Sequence, residues 1–134
     1  KLIDVAKNRS AANKNIEYFA GDMKEQSFGN FDYIIAMDSL IHYSPEDTLS
    51  SIREFSKRAN NSVLFTIIPS TFVLRTKLRL GKCFPKSERS PEVVPIGWDN
   101  LHRLEAIKSN ASLKKIARIK RFFYVSEAWE FAHK

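Results

Sequence analysis

The sequence predicts an α/β fold, in which helices cover both faces of a sheet, and three observations carry this prediction. Short apolar segments of strand length alternate along the chain with longer amphipathic segments of helical spacing. The strand at 31–37 contains consecutive apolar residues, as expected for a parallel strand that is buried on both faces. The chain closes on two segments, 114–121 and 122–131, that we interpret as an antiparallel pair at a sheet edge, with a helix as the alternative for the second.

The elements before residue 40 follow from spacing and turn signals. Residues 1–8 have the apolar spacing of an amphipathic helix, and residues 16–20 read as a strand that ends at Gly21. Gly29-Asn30 then predicts a turn before the strand at 31–37.

The elements after residue 40 have clearer boundaries. Ser44 and Pro45, followed by two acidic residues, predict the N-terminus of a helix that reaches about residue 59. A third buried strand is expected at 62–68, where Pro69 ends it, and residues 97–108 read as a further helix.

Composition bounds the class of protein. The chain of 134 residues suits one domain, and its 43% hydrophobic and 28% charged residues are typical of a globular protein. The one cysteine, Cys83, cannot form an internal disulfide, which favours a reducing, cytoplasmic compartment. No apolar run approaches the ~18 residues that a membrane span requires. Because Lys1 already reads as helix, we expect the sequence to start in mid-domain.

Positive charge is concentrated in the second part of the chain. Residues 1–60 carry eight Lys or Arg and nine Asp or Glu, whereas residues 61–134 carry 14 and six. The overall net charge is +7. The basic part therefore favours an anionic partner, with a solubilising surface as the alternative.

Polar residues follow each of the three predicted parallel strands. They are Asp22, Asp38 and Ser70. Ligands of open α/β sheets bind at the carboxyl ends of the strands, so we expect a site there.

Three stretches carry a resemblance to a known family: Met37-Asp38-Ser39-Leu40-Ile41-His42-Tyr43, Phe65-Thr66-Ile67-Ile68-Pro69 with Phe84-Pro85-Lys86-Ser87-Glu88-Arg89-Ser90-Pro91, and Phe123-Tyr124-Val125-Ser126-Glu127-Ala128. With them the sequence resembles the magnesium-protoporphyrin IX O-methyltransferases of bacteriochlorophyll and chlorophyll biosynthesis. The resemblance extends over essentially the whole chain from Asp4. It implies a class I methyltransferase (Rossmann-like) sheet with a terminal antiparallel hairpin, truncated at the N-terminus. It also implies a single domain over 1–134 that lacks its first strands, with a substrate-side helical lid at 70–110.

The resemblance further implies an activity and a cofactor. The activity is methyl transfer from S-adenosyl-L-methionine to one propionate carboxylate of magnesium-protoporphyrin IX. The glycine-rich loop and the ribose-binding acid of this enzyme class have no counterpart in the sequence. We therefore expect the chain by itself to bind the cofactor poorly and to be inactive.

Four residues are implied as cofactor contacts. The resemblance matches Asp22 to the acid that binds the adenine amino group and places Met23 against the ring, with a turn-forming Asp22 as the alternative. Met37 offers a soft apolar wall to the methionine moiety. Asp38 either holds its ammonium group or caps the following turn.

His42 is the candidate catalytic residue. A propionate with an ordinary pKa near ~4 is ionised at neutral pH and is itself the nucleophile, so alignment with water excluded is the main requirement. His42 would hold the carboxylate by a hydrogen bond or remove a residual proton, and a structural histidine in a turn is the alternative. For Tyr43, a substrate contact competes with ordinary packing.

The substrate is expected to contact the basic segment at 71–91. A metalloporphyrin is a flat apolar disc with two carboxylates on one edge, so it requires an apolar crevice with cations near the rim. Arg75, Lys86 and Arg89 are the candidates, and Arg89 suits a bidentate grip on the propionate that is not methylated. A membrane-surface helix and a solvated basic face are alternatives for 71–83.

Two other functions are alternatives to methylation of the porphyrin. No metal-ligand spacing is present in the sequence, so the magnesium belongs to the substrate. A different small acceptor, such as a quinone precursor, is one alternative. A basic nucleic-acid-binding domain is another, but the aromatics fall in predicted strands, so we expect no nucleic acid. The resemblance suggests delivery of substrate from the magnesium chelatase large subunit and peripheral contact with photosynthetic membranes.

Overall fold

A computed structural model describes residues 2–25, 28–70, 93–105, 111–121 and 124–133. Within them the elements are, in chain order, α1 (Leu2–Arg9), β1 (Phe31–Ala36), a 3-10 turn (Leu40–His42), α2 (Pro45–Arg58), β2 (Ala59–Ile67), α3 (Trp98–Glu105), β3 (Ala111–Arg121) and β4 (Tyr124–His133). None of the described helices has the length and apolar character to cross a bilayer.

The four strands form one mixed sheet in the order β1-β2-β4-β3. The pair β1–β2 is parallel, whereas β4 is antiparallel to both β2 and β3. Phe65 of β2 pairs with Ala36 on one side and with Trp129 on the other. The predicted terminal hairpin is therefore confirmed, and the helical alternative for its second segment is wrong where that segment is described. The strand β3 lies at the sheet edge.

The helix α2 forms where the sequence predicted it. Ser44 is the N-cap, and its Oγ accepts a hydrogen bond of 3.0 Å from the Asp47 N–H. Pro45 occupies the first turn, where its missing N–H costs nothing. Leu49, Ile52 and Phe55 recur at helical spacing and are buried against the sheet, which fixes the helix on β2.

The core lies on one face of the sheet. It joins α2, α3 and the inward residues of β1, β2 and β4, and the half-buried Ala111 and Leu113 of β3 pack against it. Its buried members include Ala36, Leu49, Ile52, Phe55, Val63, Phe65, Ile67, Leu101, Leu104, Trp129 and Phe131. On the opposite face of β1, Ile35 is 65% exposed and Tyr33 58% exposed. The helix α1 has no buried residue. The helices α2 and α3 share this one core cluster, so helices on both faces stay a prediction.

The predicted strand at 16–20 is also wrong, because these residues run outside the sheet. A strand exists only where a neighbouring strand supplies hydrogen bonds, and the sheet order gives this segment no partner. The Phe19 ring instead lies 5.4 Å from the Phe28 ring, centre to centre. At the other predicted boundaries the shifts are small: β2 begins at Ala59, where it pairs with Phe31, and the helix expected at 97–108 is α3, with 106–108 outside the described residues.

Candidate active site

The turn at 21–25 presents Asp22 to solvent and is closed by hydrogen bonds to that residue. The Asp22 Oδ1 accepts from the Lys24 N–H at 2.9 Å, and the Asp22 carbonyl accepts from the Glu25 N–H at 3.0 Å. The turn rests on α2, because the Arg58 guanidinium donates to the carbonyls of Met23 and Glu25. Asp22 thus has the turn-forming role proposed as its alternative, while its carboxylate stays exposed.

A cleft of about 490 Å³ opens beside this turn. Its lining is Gly21, Asp22, Met23, Lys24, Tyr43 and Asp47. Three residues singled out in the sequence, Asp22, Met23 and Tyr43, therefore lie around one space. The Lys24 Nζ lies 5.9 Å from the centre of the Tyr43 ring. The cleft combines carboxylate acceptors with a thioether and an aromatic surface, which suits a planar heterocycle that carries an amino group.

Asp38 stands at the carboxyl end of β1 in an unusual backbone conformation. Its φ of 50° lies in the left-handed region, which L-residues other than Asn and Asp rarely adopt. The Thr66 hydroxyl accepts a hydrogen bond from the Asp38 N–H at 2.7 Å and donates one to its Oδ1 at 3.1 Å. The neighbouring Met37 is 64% exposed. Both candidate residues for the methionine moiety are thus at the sheet's carboxyl edge.

His42 ends a 3-10 turn whose other two residues are buried. Leu40 is in the main core, and Ile41 packs with Ile68 and Val93. The buried Thr48 hydroxyl of α2 donates to the Leu40 carbonyl at 3.4 Å. His42 itself is exposed, so a fixed turn holds it toward solvent.

The described residues that flank 71–92 lie beside this turn. The Val94 N–H donates to the Ile41 carbonyl at 2.8 Å, one residue before His42. The Ser70 N–H donates to the Ile96 carbonyl at 2.7 Å, and the Ile96 N–H donates to the Ile68 carbonyl at 2.8 Å. Arg75, Lys86 and Arg89 lie outside the described residues, and their expected contacts stay predictions.

A second cleft, of about 720 Å³, runs along the open side of β1. Gly21 and Met23 line both clefts, so the turn at 21–25 separates them. Met37, Asp38 and His42 line neither of the two. The structure thus brings Asp22, Met23 and Tyr43 together and leaves the strand-end residues and His42 as separate parts of the same edge. The described residues contain no group of three or more His, Cys, Asp or Glu that could hold a metal ion.

Four residues of the candidate site were not expected from sequence. Lys24 and Asp47 line the smaller cleft, Arg58 supports its turn, and Thr66 holds Asp38. Lys24 had a local signal, since it lies two residues after Asp22. Arg58 and Thr66 contact residues at least 28 positions away, which no local pattern reveals.

Comparisons with known proteins agree on one family. Residues 36–133 match the family described as magnesium-protoporphyrin IX methyltransferase C-terminus. The magnesium-protoporphyrin O-methyltransferase of Rhodobacter capsulatus is 40% identical over 133 residues, which cover 98% of this chain and 58% of that protein.

Solved structures show the same fold. The crystal structure of magnesium protoporphyrin IX methyltransferase from Synechocystis PCC 6803 with bound SAH gives a TM-score of 0.77 at 18% identity, covering 98% of this chain and 59% of that chain. The PH0226 protein from Pyrococcus horikoshii OT3 gives 0.64 at 19% identity, covering 99% and 67%. The predicted class I methyltransferase sheet with its terminal antiparallel hairpin is thereby confirmed.

The matches cover different shares of the chain and of its relatives. The chain spans 58% of the length of its curated relative. The family match, in contrast, covers most of the chain, from the end of β1 to the end of β4. The chain therefore belongs to the magnesium-protoporphyrin IX methyltransferase family and corresponds to its C-terminal part.

Proposed function

We propose that the protein containing this chain transfers a methyl group from S-adenosylmethionine to a propionate carboxylate of magnesium-protoporphyrin IX. The products are the monomethyl ester and S-adenosylhomocysteine. The observation that carries this proposal is the 40% identity to the Rhodobacter capsulatus enzyme over 98% of the chain. The relative is longer than this chain, so the activity is proposed for a protein that contains the chain and not for the chain alone.

The smaller cleft has the chemistry that adenine requires. Asp22 offers a carboxylate to the exocyclic amino group, and the half-buried Met23 offers a polarisable apolar surface to the ring. Tyr43 lies in the same cleft, so we assign it to the cofactor side of the site rather than to the substrate. The described residues thus fit the adenine end of S-adenosylmethionine.

The residues at the end of β1 suit the amino-acid end of the cofactor. Asp38 is exposed at the sheet's carboxyl edge, and its carboxylate would bind the ammonium group. Met37 beside it would line the methionine chain. When bound, S-adenosylmethionine supplies an electrophilic methyl group, which a carboxylate oxygen of the substrate takes while the sulfur keeps the bonding electrons.

His42 would position the reacting carboxylate. Because a propionate is ionised at neutral pH, the reaction needs alignment more than proton transfer. The fixed turn under His42 gives its exposed ring a defined place from which to donate a hydrogen bond to the propionate. Removal of a residual proton is the second role open to it.

We propose that the substrate-side lid expected at 70–110 covers the substrate and that Arg75, Lys86 and Arg89 bind propionate oxygens from it. The described residues that flank 71–92 support this proposal, because the Val94 N–H donates to the Ile41 carbonyl beside His42. The bidentate geometry of a guanidinium favours Arg89 for the propionate that is not methylated.

The proposal also covers how the substrate is delivered to the protein. We propose transfer from the magnesium chelatase large subunit, with the protein held at a photosynthetic membrane surface. The concentration of positive charge after residue 60 supports contact with an anionic surface. Co-sedimentation with anionic and neutral vesicles, with and without the chelatase subunit, tests both parts.

The decisive experiment uses the full-length gene product. It is incubated with S-adenosylmethionine and magnesium-protoporphyrin IX, and the porphyrin is examined by mass spectrometry for one added methyl group. His42→Ala is compared with His102→Ala, which removes another exposed imidazole. We expect a monomethyl ester from the parent and from His102→Ala, and little from His42→Ala. Bound cofactor without any ester would refute the porphyrin substrate, and equal activity in both variants would assign His42 to structure.

A further inference from the structure

Arg58 is a charged residue buried at the end of α2. It is 8% exposed, and its guanidinium carbon lies 5.9 Å from the centre of the Phe55 ring. Arginine is rarely buried unless its donors are paired, because transfer of a charge from water costs several kcal/mol. Its environment therefore has to compensate that cost.

The compensation comes from two backbone carbonyls of the turn at 21–25. One Nη donates to the Glu25 carbonyl at 2.5 Å, and the other donates to the Met23 carbonyl at 2.9 Å. A guanidinium presents its donors in a fixed plane, so one side chain can hold two carbonyls at a set separation. The position at the last residue of α2 adds the favourable interaction of a cation with a helix C-terminus.

The same turn carries the residues assigned to adenine. Met23 contributes both a carbonyl to Arg58 and a surface to the smaller cleft, and Asp22 precedes it. The edge of the sheet gives this segment no strand partner, so its backbone is not held by a ladder. The two hydrogen bonds of Arg58 therefore tie the Met23–Glu25 backbone to the end of α2.

We propose that Arg58 is a positioning residue for the cofactor: it fixes the turn that places Asp22 and Met23 against the adenine ring, without touching the cofactor itself. This inference rests on the proposed function. It predicts that loss of the clamp weakens cofactor binding and leaves the transfer step almost unchanged once the cofactor is saturating.

The test measures the stability of the turn and the binding of the cofactor separately, in the full-length gene product. Arg58→Met keeps most of the buried side-chain volume and removes both hydrogen bonds to the turn. Arg58→Lys keeps the positive charge, on a single nitrogen. Arg53→Met on the exposed side of the same helix is the matched control. Hydrogen exchange of the Lys24 and Glu25 amides, both bonded to Asp22, reports on the turn. Calorimetric titration with S-adenosylhomocysteine and the kinetics of methyl transfer report on the cofactor.

For Arg58→Met we expect the two amides to exchange about tenfold faster and the cofactor to bind about tenfold more weakly, with kcat within about twofold of the parent. In both exchange rate and cofactor affinity, we expect Arg58→Lys to lie between Arg58→Met and the parent. We expect Arg53→Met to match the parent. Faster exchange with unchanged cofactor affinity would overturn the proposal and leave Arg58 as a structural residue. Unchanged exchange would refute the clamp itself. A parent protein that binds no cofactor would refute the proposed function, and the exchange data would still decide whether Arg58 holds the turn.

Discussion

The Thr66 hydroxyl makes two hydrogen bonds to Asp38 across the carboxyl end of the parallel strand pair. It accepts from the Asp38 N–H at 2.7 Å and donates to the Asp38 carboxylate at 3.1 Å. Asp38 has a positive φ, so its backbone is held in a conformation that is disfavoured for most side chains. A buried residue of β2 thereby fixes both the backbone and the side chain of a candidate cofactor ligand.

Replacement of Thr66 by Val tests this relationship, since the two side chains have nearly the same shape. Loss of the hydroxyl leaves the Asp38 N–H without this acceptor, so we expect the free energy of unfolding to fall by about 1 kcal/mol. We also expect the affinity for S-adenosylmethionine to fall, because the Asp38 carboxylate loses its fixed orientation. Urea unfolding and calorimetric titration measure the two effects. Thr66→Ser keeps the hydroxyl and provides the control, and a Val variant with parental affinity would show that Asp38 does not need this contact.

Asp22 has two roles that a pair of substitutions can separate. Asp22→Asn keeps a side-chain oxygen for the Lys24 N–H and so preserves the turn, but it removes the charge. Asp22→Ala removes both. If the carboxylate binds the adenine amino group, the Asn variant binds the cofactor more weakly. Its free energy of unfolding stays within about 0.5 kcal/mol of that of the parent.

The cofactor affinity of these two variants is measured by titration with S-adenosylhomocysteine. The Lys24 amide exchange rate provides the internal control for the turn. Parental affinity in Asp22→Asn together with weak binding in Asp22→Ala would mean that Asp22 acts through the turn alone.

The elements that were predicted correctly have their signals in neighbouring residues. The helix α2 is encoded by the Ser44 cap, the Pro45 first turn and apolar residues at helical spacing, all within the helix and its flanks. The strand expected at 16–20 failed because a strand also needs a partner, and the pattern of one segment cannot supply it. The exposure of Ile35 has a similar cause. Whether an apolar strand residue is buried depends on which element packs on its face of the sheet, and the sequence of the strand does not show this.

The residues of the candidate site also include some that have a local sequence signal and some that have none. Asp38 and His42 were singled out because they follow β1, at the edge where an α/β sheet binds its ligands. Asp22 was singled out because it follows 16–20, a segment that was expected to be a strand and that lies outside the sheet. Thr66 and Arg58 support these residues from 28 and 33 or more positions away, so only the folded structure reveals them. Sequence thus indicates the candidate ligand contacts more readily than the residues that hold them in place.

A last prediction concerns Glu127, the carboxylate that ties the terminal hairpin together. It is 1% exposed on β4, and its Oε2 accepts a hydrogen bond of 3.2 Å from the Trp129 indole. Its Oε1 lies 3.5 Å from the Lys115 Nζ and 3.6 Å from the Arg118 Nε, both on β3. The Lys115 Nζ also lies 4.7 Å from the centre of the Trp98 ring, which links the cluster to α3. Glu127 therefore connects β3 and β4, and its partner Lys115 extends the cluster to α3.

Glu127→Gln keeps the volume of the side chain and an acceptor for Trp129 but removes the charge that balances Lys115 and Arg118. Removal of one partner of a fully buried ion pair costs about 3–5 kcal/mol. The two cations here have side chains that are 35% and 47% exposed and can turn to water, so we expect a smaller loss of about 1–3 kcal/mol.

The matched control is Glu54→Gln, which breaks the exposed pair of Glu54 and Lys57 on α2. These two atoms are closer, at 2.7 Å, yet the pair is solvated, so its loss is expected to cost less than about 0.5 kcal/mol. Urea unfolding of both variants compares the two pairs directly. A Glu54 effect equal to or larger than the Glu127 effect would show that distance rather than burial decides the value of an ion pair in this fold. A larger loss for Glu127→Gln would show that burial decides the value of the pair. The hairpin is then stabilised by an almost fully buried carboxylate whose two oxygens lie next to donors or cations of the hairpin.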